Sequence, residues 1–236
     1  MNSVDGAHQL TRQHSTAEHE QAVGLAFTYR LATDTAAPLI VMIHGRAGTR
    51  DVMWLFERAL PKSATIVSFQ APDREPVAAL GGFSWWDIQN PGAARIEGPK
   101  AAHLIAGALL RFESLFSLSP SHRIAIGFSQ GAAVLSSLVL EDVLECDGVA
   151  LLAGFVVADT ERAALGESVS IKRKTPVYIG HGTTDDVIPV GRAIQGKEYL
   201  EERGHPVTFV TDPVGHKLGV SATRGLTAWV NTLLGM

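Results

Sequence analysis

Short apolar runs alternate with amphipathic stretches along most of this chain. Three continuous apolar runs, "PLIVMIH" (38–44), "ATIVSFQAP" (64–72) and "RIAIGF" (123–128), are typical of strands that are buried on both faces. Between them, residues 51–60 and 100–116 repeat their apolar positions with helical spacing. Strands that alternate with helices predict a mostly parallel sheet covered by helices on both faces.

The second half of the chain continues this alternation. It predicts strands at "GVALLAGF" (148–155), "PVYIGHG" (176–182) and "VTFVTD" (207–212), with helices near 130–140, 190–202 and the end of the chain. Near the start, "VGLAFTYRLA" (23–32) predicts an opening strand, whereas residues 73–98 and 156–175 are expected to be loops. No repeat or linker divides the chain, so we predict one α/β domain over residues 21–236 and a flexible polar tail over residues 1–20.

Composition excludes several classes of protein. The chain is 46% hydrophobic and 19% charged, with a net charge of −4 and no run of basic residues, so a nucleic-acid partner is not expected. A single cysteine, Cys146, excludes an internal disulfide. The N-terminal residues lack an apolar signal core, and no apolar stretch is long enough for a membrane span. We therefore expect a cytoplasmic protein. A homodimer is one assembly that the sequence leaves open.

Candidate chemistry begins at the end of the strand 123–128. "GFSQG" (127–131) matches the G-x-S-x-G turn, in which a serine stands on a sharp corner between a strand and a helix. Glycines on either side let the strand and the helix approach closely and leave the hydroxyl of Ser129 clear. A helix start rich in small residues is the alternative reading of the same pattern.

A serine nucleophile needs a base and an acid that orients the base. Acids follow the strand 176–182, at Asp185 and Asp186, and His216 follows the next strand. The order serine, acid, histidine is that of α/β enzymes with this turn. His216 taken alone would be read as an exposed loop histidine; the order of the three favours a catalytic role.

The first long strand ends in a glycine-bearing loop, "MIHGRAG" (42–48). Such a loop can turn a backbone N–H group toward a negative oxygen that forms on the substrate. We assign this oxyanion role to the N–H groups of Arg46 and Gln130. A phosphate-binding loop is the alternative, but "HGRAGTR" lacks both the lysine and the glycine spacing of the nucleotide-binding motifs.

Taken together, "HGRAG", "FSWWDI", "GFSQGA", "HGTTDDVIP" and "GHKLG" resemble the carboxylesterase and acyl-protein thioesterase branch of the α/β-hydrolase superfamily. The resemblance implies a serine hydrolase of esters or thioesters that uses no metal and no organic cofactor. The pattern H-G-x-x-D-x-x-[VI]-P assigns the triad acid to Asp185 and leaves Asp186 to solvent or to a helix cap. Ala47 stands where the family commonly has glycine, so a slightly stiffer oxyanion loop is expected.

The resemblance also places the "W-x-D-I" segment beside the acyl pocket. It therefore predicts that Phe83, Trp85 and Trp86 form part of the pocket wall, although tryptophans are more often packing residues. His181 is expected to cap a strand end, and His44 to hold the oxyanion loop by hydrogen bonds.

The sequence thus predicts a serine hydrolase that cleaves small-molecule carboxylic esters of short to medium acyl chains. Lysophospholipase and acyl-protein thioesterase activities remain alternatives, because the same groups cleave all three kinds of bond. An acyltransferase is a further alternative. A non-catalytic protein that uses the same fold to bind a small molecule is the alternative of another class.

Overall fold

The computed structural model describes residues 11–77, 79–89, 93–157 and 173–236. Its strands are β1 Gln13–His14, β2 Phe27–Arg30, β3 Leu39–Ile43, β4 Thr65–Phe69, β5 Asp73–Arg74, β6 Phe83–Ser84, β7 Arg123–Phe128, β8 Gly148–Leu152, β9 Val177–Gly182 and β10 Val207–Asp212. Its helices are α1 Ala17–Val23, a 3₁₀ helix Val52–Ala59, α2 Ala93–Leu115, α3 Gln130–Leu140, α4 Val190–Glu202 and α5 Val220–Leu233.

Within these residues, eight strands form one sheet in the order β1-β2-β4-β3-β7-β8-β9-β10. The six from β4 to β10 are parallel, while β1 and β2 run antiparallel to their neighbours. The prediction of a mostly parallel sheet is therefore confirmed. Since the carboxyl ends of parallel strands share one edge, the loops after β3, β7, β9 and β10 converge there.

Both faces of the sheet are buried. Alternate residues of β3 enter two separate cores: Leu39, Val41 and Ile43 pack on one side, and Ile40 and Met42 on the other. Helices α2 and α3 contribute side chains to the first core, and the 3₁₀ helix and α5 contribute to the second. The continuous apolar runs in the sequence arise from this two-sided burial.

The N-terminal tail prediction needs correction within residues 11–20. These residues include β1, which pairs with β2, and the start of α1, whose N-cap Thr16 forms a capping box with His19. The His19 ring packs against the rings of Phe27, Tyr29 and Phe116. The polar composition of the segment misled the prediction, because its stability comes from contacts with the rest of the fold. Residues 1–10 lie outside the described residues.

Two other element bounds differ from the sequence predictions. Helix α2 begins at Ala93 and continues through Pro99, whereas the apolar pattern predicts a start at residue 100. The predicted loop 73–98 contains the short hairpin of β5 and β6. Most of the predicted loop 156–175 lies outside the described residues. None of the described helices is both long and apolar enough to cross a membrane.

Candidate active site

Ser129 occupies the corner between β7 and α3 in a strained backbone conformation, with φ 54° and ψ −115°. Positive φ is rare for a residue with a side chain. The corner is tight enough to require glycine on both sides: a Cβ on Gly127 would lie 2.5 Å from the carbonyl oxygen of Gly131, and one on Gly131 would lie 2.3 Å from that of Ile43. The sequence spacing of the motif follows from these approaches.

His216, in the loop after β10, lies at the same edge of the sheet as Ser129 and contacts it across the ends of β8 and β9. Its Nε2 is 3.0 Å from the serine Oγ, and its Nδ1 is 2.8 Å from Oδ2 of Asp185. With the Nδ1–H donated to the carboxylate, Nε2 is left as an acceptor for the serine proton. The structure therefore brings Ser129, His216 and Asp185 into one hydrogen-bonded chain.

Asp185 is held by its own loop as well as by the histidine. Its side chain is fully buried, and its Oδ1 accepts the N–H groups of Val187 at 2.9 Å and Ile188 at 2.8 Å. Burial by itself would raise the pKa of Asp185, but the hydrogen bonds from Ile188 and His216 outweigh it, so that the pKa lies below its ordinary value. The neighbouring Asp186 is exposed. Of the two adjacent acids, Asp185 contacts the histidine.

His181 has a closer connection to the acid than the sequence indicated. It lies in β9, and its Nε2–H donates to the carbonyl oxygen of Ile188 at 2.8 Å, 3.4 Å from Oδ2 of Asp185. Instead of capping a strand end, the side chain closes the acid loop onto its strand. The H-G pair before the acid was the available signal for this contact.

The loop after β3 passes close to Ser129. A Cβ on Gly45 would lie 3.0 Å from the Cβ of Ser129. Among the described residues, no protein atom accepts the N–H of Arg46; Gln130 is the first residue of α3, so its N–H has no acceptor within the helix. Ala47, with φ 57°, adopts the left-handed conformation that favours glycine.

His44 supports this loop from beneath. Its Nδ1–H donates to the carbonyl oxygen of Gly45 at 2.7 Å, and its Nε2 accepts the N–H of Ala71 at 3.0 Å. Burial lowers the pKa of His44 to about 4, although the bond to Gly45 opposes the shift. The side chain is therefore neutral at pH 7 and holds the loop by hydrogen bonds.

A charged network on the other side of the loop was not predicted. Arg46 makes a two-point ion pair with Glu75, with N–O distances of 2.9 and 2.6 Å, and Ser84 donates its hydroxyl to the same carboxylate. The two charged residues lie in irregular segments 29 positions apart. No periodicity in the sequence points to such a contact.

The three aromatic residues of the predicted pocket wall are placed next to these loops. Trp85 and Trp86 are buried and Phe83 is half-buried. The Trp85 indole donates to the carbonyl oxygen of His44 at 2.9 Å. The Gln130 side chain accepts the N–H of Trp85 at 3.0 Å and donates to the carbonyl oxygen of Trp86 at 2.9 Å. The segment is thus tied to the residue that follows Ser129, and its role in the pocket stays a prediction.

Comparison with known proteins identifies the family. A sequence model described as Phospholipase/Carboxylesterase matches residues 30–233. The chain belongs to this family. The family resemblance drawn from the sequence motifs is therefore confirmed, and relatives named as acyl-protein thioesterases support hydrolase activity.

The chain is similar to proteins that carry several different names. The chain is 28% identical to "Acyl-protein thioesterase 1" of Kluyveromyces lactis, over 72% of this chain and 79% of that protein. It is 24% identical to a protein of Oryza sativa subsp. japonica named as a probable inactive carboxylesterase, over 83% of this chain and 84% of that protein. The crystal structure of a Bacillus cereus carboxylesterase superposes with a TM-score of 0.77 at 16% identity, covering 92% of this chain and 98% of that one. The last comparison confirms the α/β-hydrolase fold.

Proposed function

We propose that this protein is a serine hydrolase that cleaves carboxylic esters of short to medium acyl chains through an acyl-serine intermediate. The hydrogen-bonded chain of Ser129, His216 and Asp185 carries the proposal, because it contains a nucleophile, a base and an orienting acid within contact distance. Membership of the phospholipase/carboxylesterase family supports hydrolysis of an ester or thioester bond.

In the proposed mechanism His216 takes the proton of Ser129 as the serine oxygen attacks the carbonyl carbon. The histidine then gives this proton to the leaving alcohol as the carbon–oxygen bond breaks, which leaves an acyl-serine. A water molecule, deprotonated by the same histidine, attacks the acyl-serine and releases the acid. Asp185 keeps the Nδ1–H tautomer and stabilises the imidazolium that forms in each half of the reaction.

Both halves of this reaction pass through a tetrahedral intermediate with a negative oxygen. The backbone N–H groups of Arg46 and Gln130 are proposed to bind this oxygen. Two observations support them: neither the loop N–H nor the first N–H of α3 has an acceptor within the described backbone, and Gly45 lies against Ser129. No cofactor enters the proposed mechanism.

Two other activities of the same site have specific support. The names of the yeast relatives favour an acyl-protein thioesterase, and the family description favours a phospholipase or lysophospholipase. A non-catalytic role is favoured by the rice relative named as probably inactive. The intact contacts of Ser129 with His216 and of His216 with Asp185 argue for catalysis.

The test combines active-site labelling with turnover. We expect a fluorophosphonate probe to label the protein, and we expect the protein to hydrolyse p-nitrophenyl esters with acyl chains of about two to eight carbons. Ser129→Ala should not be labelled, and its ester turnover should fall by roughly 10⁴ or more. Ser137→Ala is the matched control, because this hydroxyl lies buried on the same helix and has no hydrogen-bond partner among the described residues. Near-parental ester turnover in Ser129→Ala, or an unlabelled parent, would contradict the mechanism. Parallel assays with a lysophospholipid and an acyl-thioester rank the alternative substrates.

A further inference from the structure

The oxyanion loop is bound to a second loop through a buried carboxylate. Glu75, directly after β5, has a side chain that is 1% exposed, and it receives Arg46 by two N–O contacts of 2.9 and 2.6 Å. The Arg46 side chain is 25% exposed. Because the fork of arginine matches a carboxylate in one plane, a two-point pair fixes orientation as well as distance.

The same carboxylate also reaches the next peptide of the oxyanion loop. The Ser84 hydroxyl donates to Glu75 and accepts the N–H of Ala47 at 3.2 Å. One residue further, the carbonyl oxygen of Gly48 accepts the N–H of Phe83 at 2.9 Å. Three consecutive residues, 46 to 48, are therefore attached to the β5–β6 hairpin.

The attachment lies where the loop backbone is strained. Ala47 is held at φ 57°, and a Cβ on Gly82 of the hairpin would lie 2.1 Å from its carbonyl oxygen. A strained conformation persists only when its surroundings impose it. The hydrogen bond from Arg46 outweighs burial and lowers the pKa of Glu75 to about 2, so the carboxylate is charged throughout the range in which the protein would be assayed.

We propose that Glu75 is a positioning residue that aims the backbone N–H of Arg46 at the oxyanion, acting through the Arg46 side chain and through Ser84. The inference rests on the proposed serine-hydrolase function. The negative oxygen exists only in the tetrahedral intermediates and the transition states that lead to them. Loss of the aim should therefore lower kcat and leave KM nearly unchanged.

The chain contains a matched control pair at the opposite end of the sheet. Glu113 and Arg123 make the same two-point contact, at 2.6 and 2.8 Å, with the arginine 26% and the glutamate 9% exposed. Arg123 begins β7, so this pair lies at the other end of the strand that leads to Ser129. Replacing either glutamate by glutamine breaks a two-point ion pair, but only one pair adjoins the oxyanion loop. Glu75 also receives the Ser84 hydroxyl, so thermal unfolding of both variants is needed to compare their losses of stability.

The experiment compares Glu75→Gln, Glu113→Gln and Ser84→Ala with the parent, using p-nitrophenyl acetate and thermal unfolding. We expect kcat to fall by about ten- to a hundredfold in Glu75→Gln, because removing an oxyanion donor outright costs about 10²–10³, with KM changed by less than about threefold. Glu113→Gln should keep the parental kcat. The effect is visible whether acylation or deacylation limits the rate, because both steps form the oxyanion.

Ser84→Ala provides a second test of the inference in case Glu75→Gln does not fold. It removes only the hydroxyl that links Glu75 to Ala47, and we expect a smaller loss of kcat, again at a nearly constant KM. A parental kcat in folded Glu75→Gln, or in Ser84→Ala where Glu75→Gln does not fold, overturns the inference. Equal losses of kcat in Glu75→Gln and Glu113→Gln also overturn it, because they indicate a general stability effect.

An inactive parent overturns the proposed function and this inference together. With an active parent and an inactive Ser129→Ala, the proposed function stands and the remaining variants test Glu75 alone.

Discussion

Replacing Asp185 by asparagine tests the orienting role of the acid through the geometry of its two oxygens. Oδ1 accepts two backbone N–H groups, from Val187 and Ile188, while Oδ2 faces Nδ1 of His216. In Asp185→Asn, the amide oxygen can keep both backbone bonds only if the amide NH₂ points at the histidine. The histidine then has to accept at Nδ1 and carry its proton on Nε2, where it can no longer take a proton from the serine.

The opposite orientation of the amide is unfavourable. It would turn the NH₂ group toward two backbone N–H donors and forfeit both hydrogen bonds, at roughly 1 kcal/mol each and more where the groups are left buried and unpaired. The inactive tautomer should therefore be favoured by about 2 kcal/mol or more, a factor of roughly thirty. Loss of the negative charge beside the imidazolium adds to this. We expect kcat to fall by up to about 10⁴, as for triad acids in general, which corresponds to about 5.4 kcal/mol in the activation barrier.

Asp186→Asn is the matched control for this variant. It makes the same chemical change at the adjacent, exposed position, so we expect less than about a tenfold loss of kcat. Steady-state hydrolysis of p-nitrophenyl acetate, with circular dichroism to verify folding, measures both variants. A large loss in Asp186→Asn with a small one in Asp185→Asn would refute the tautomer argument and move the acid role to Asp186.

Two further predictions concern the supports of the site. The pKa of His44 is about 4 in the folded protein and about 6.5 in the unfolded chain, so the unfolded chain takes up the proton first as pH falls. In urea unfolding, this group should make the free energy of unfolding about 2 kcal/mol lower at pH 5 than at pH 7. The dependence of that free energy on pH should be weaker in His44→Gln, and equal dependences in the two proteins would contradict the burial argument. His205, whose pKa is also lowered by burial, adds in the same direction in both proteins. Trp85→Ala and Trp86→Ala should shift the preferred acyl length upward by opening space for extra methylenes; chain-length profiles identical to the parent's would mean that both indoles only pack the core.

The sequence predicts those parts of the fold whose burial produces a regular pattern of apolar residues along the chain. Every residue of β3 is buried, so the run 39–43 is continuously apolar and its assignment as a central strand is direct. Helix α1 has the polar sequence AEHEQAV, and its order depends on tertiary contacts such as those of Arg50 with Ser15 and Glu20, both at 2.8 Å. Such contacts leave no periodic trace in a single sequence.

The candidate site divides in the same way. Ser129 and His216 could be named because each follows a strand in a fixed order, within motifs that contain glycines. The choice of Asp185 over Asp186 came from the family pattern H-G-x-x-D-x-x-[VI]-P, because strand order does not separate the two acids. The pairing of Arg46 with Glu75 could not be named, since both residues lie in loops whose mutual approach is set by the hairpin of β5 and β6. Sequence reasoning therefore named the three residues that the structure joins by hydrogen bonds and the supporting contact of His44. It missed the pairing of Arg46 with Glu75.

Because of the strand order, the two halves of the candidate site differ in their stability against local unfolding. Ser129 follows β7, which is paired on both sides by β3 and β8. His216 follows β10, which is the last strand of the described sheet and pairs with β9 alone. Edge elements open at lower free energy than central ones, and amide hydrogen exchange reports the difference. Heat or mild denaturant should therefore displace His216 while the corner at Ser129 is still folded, so that the proposed activity is lost before the core unfolds.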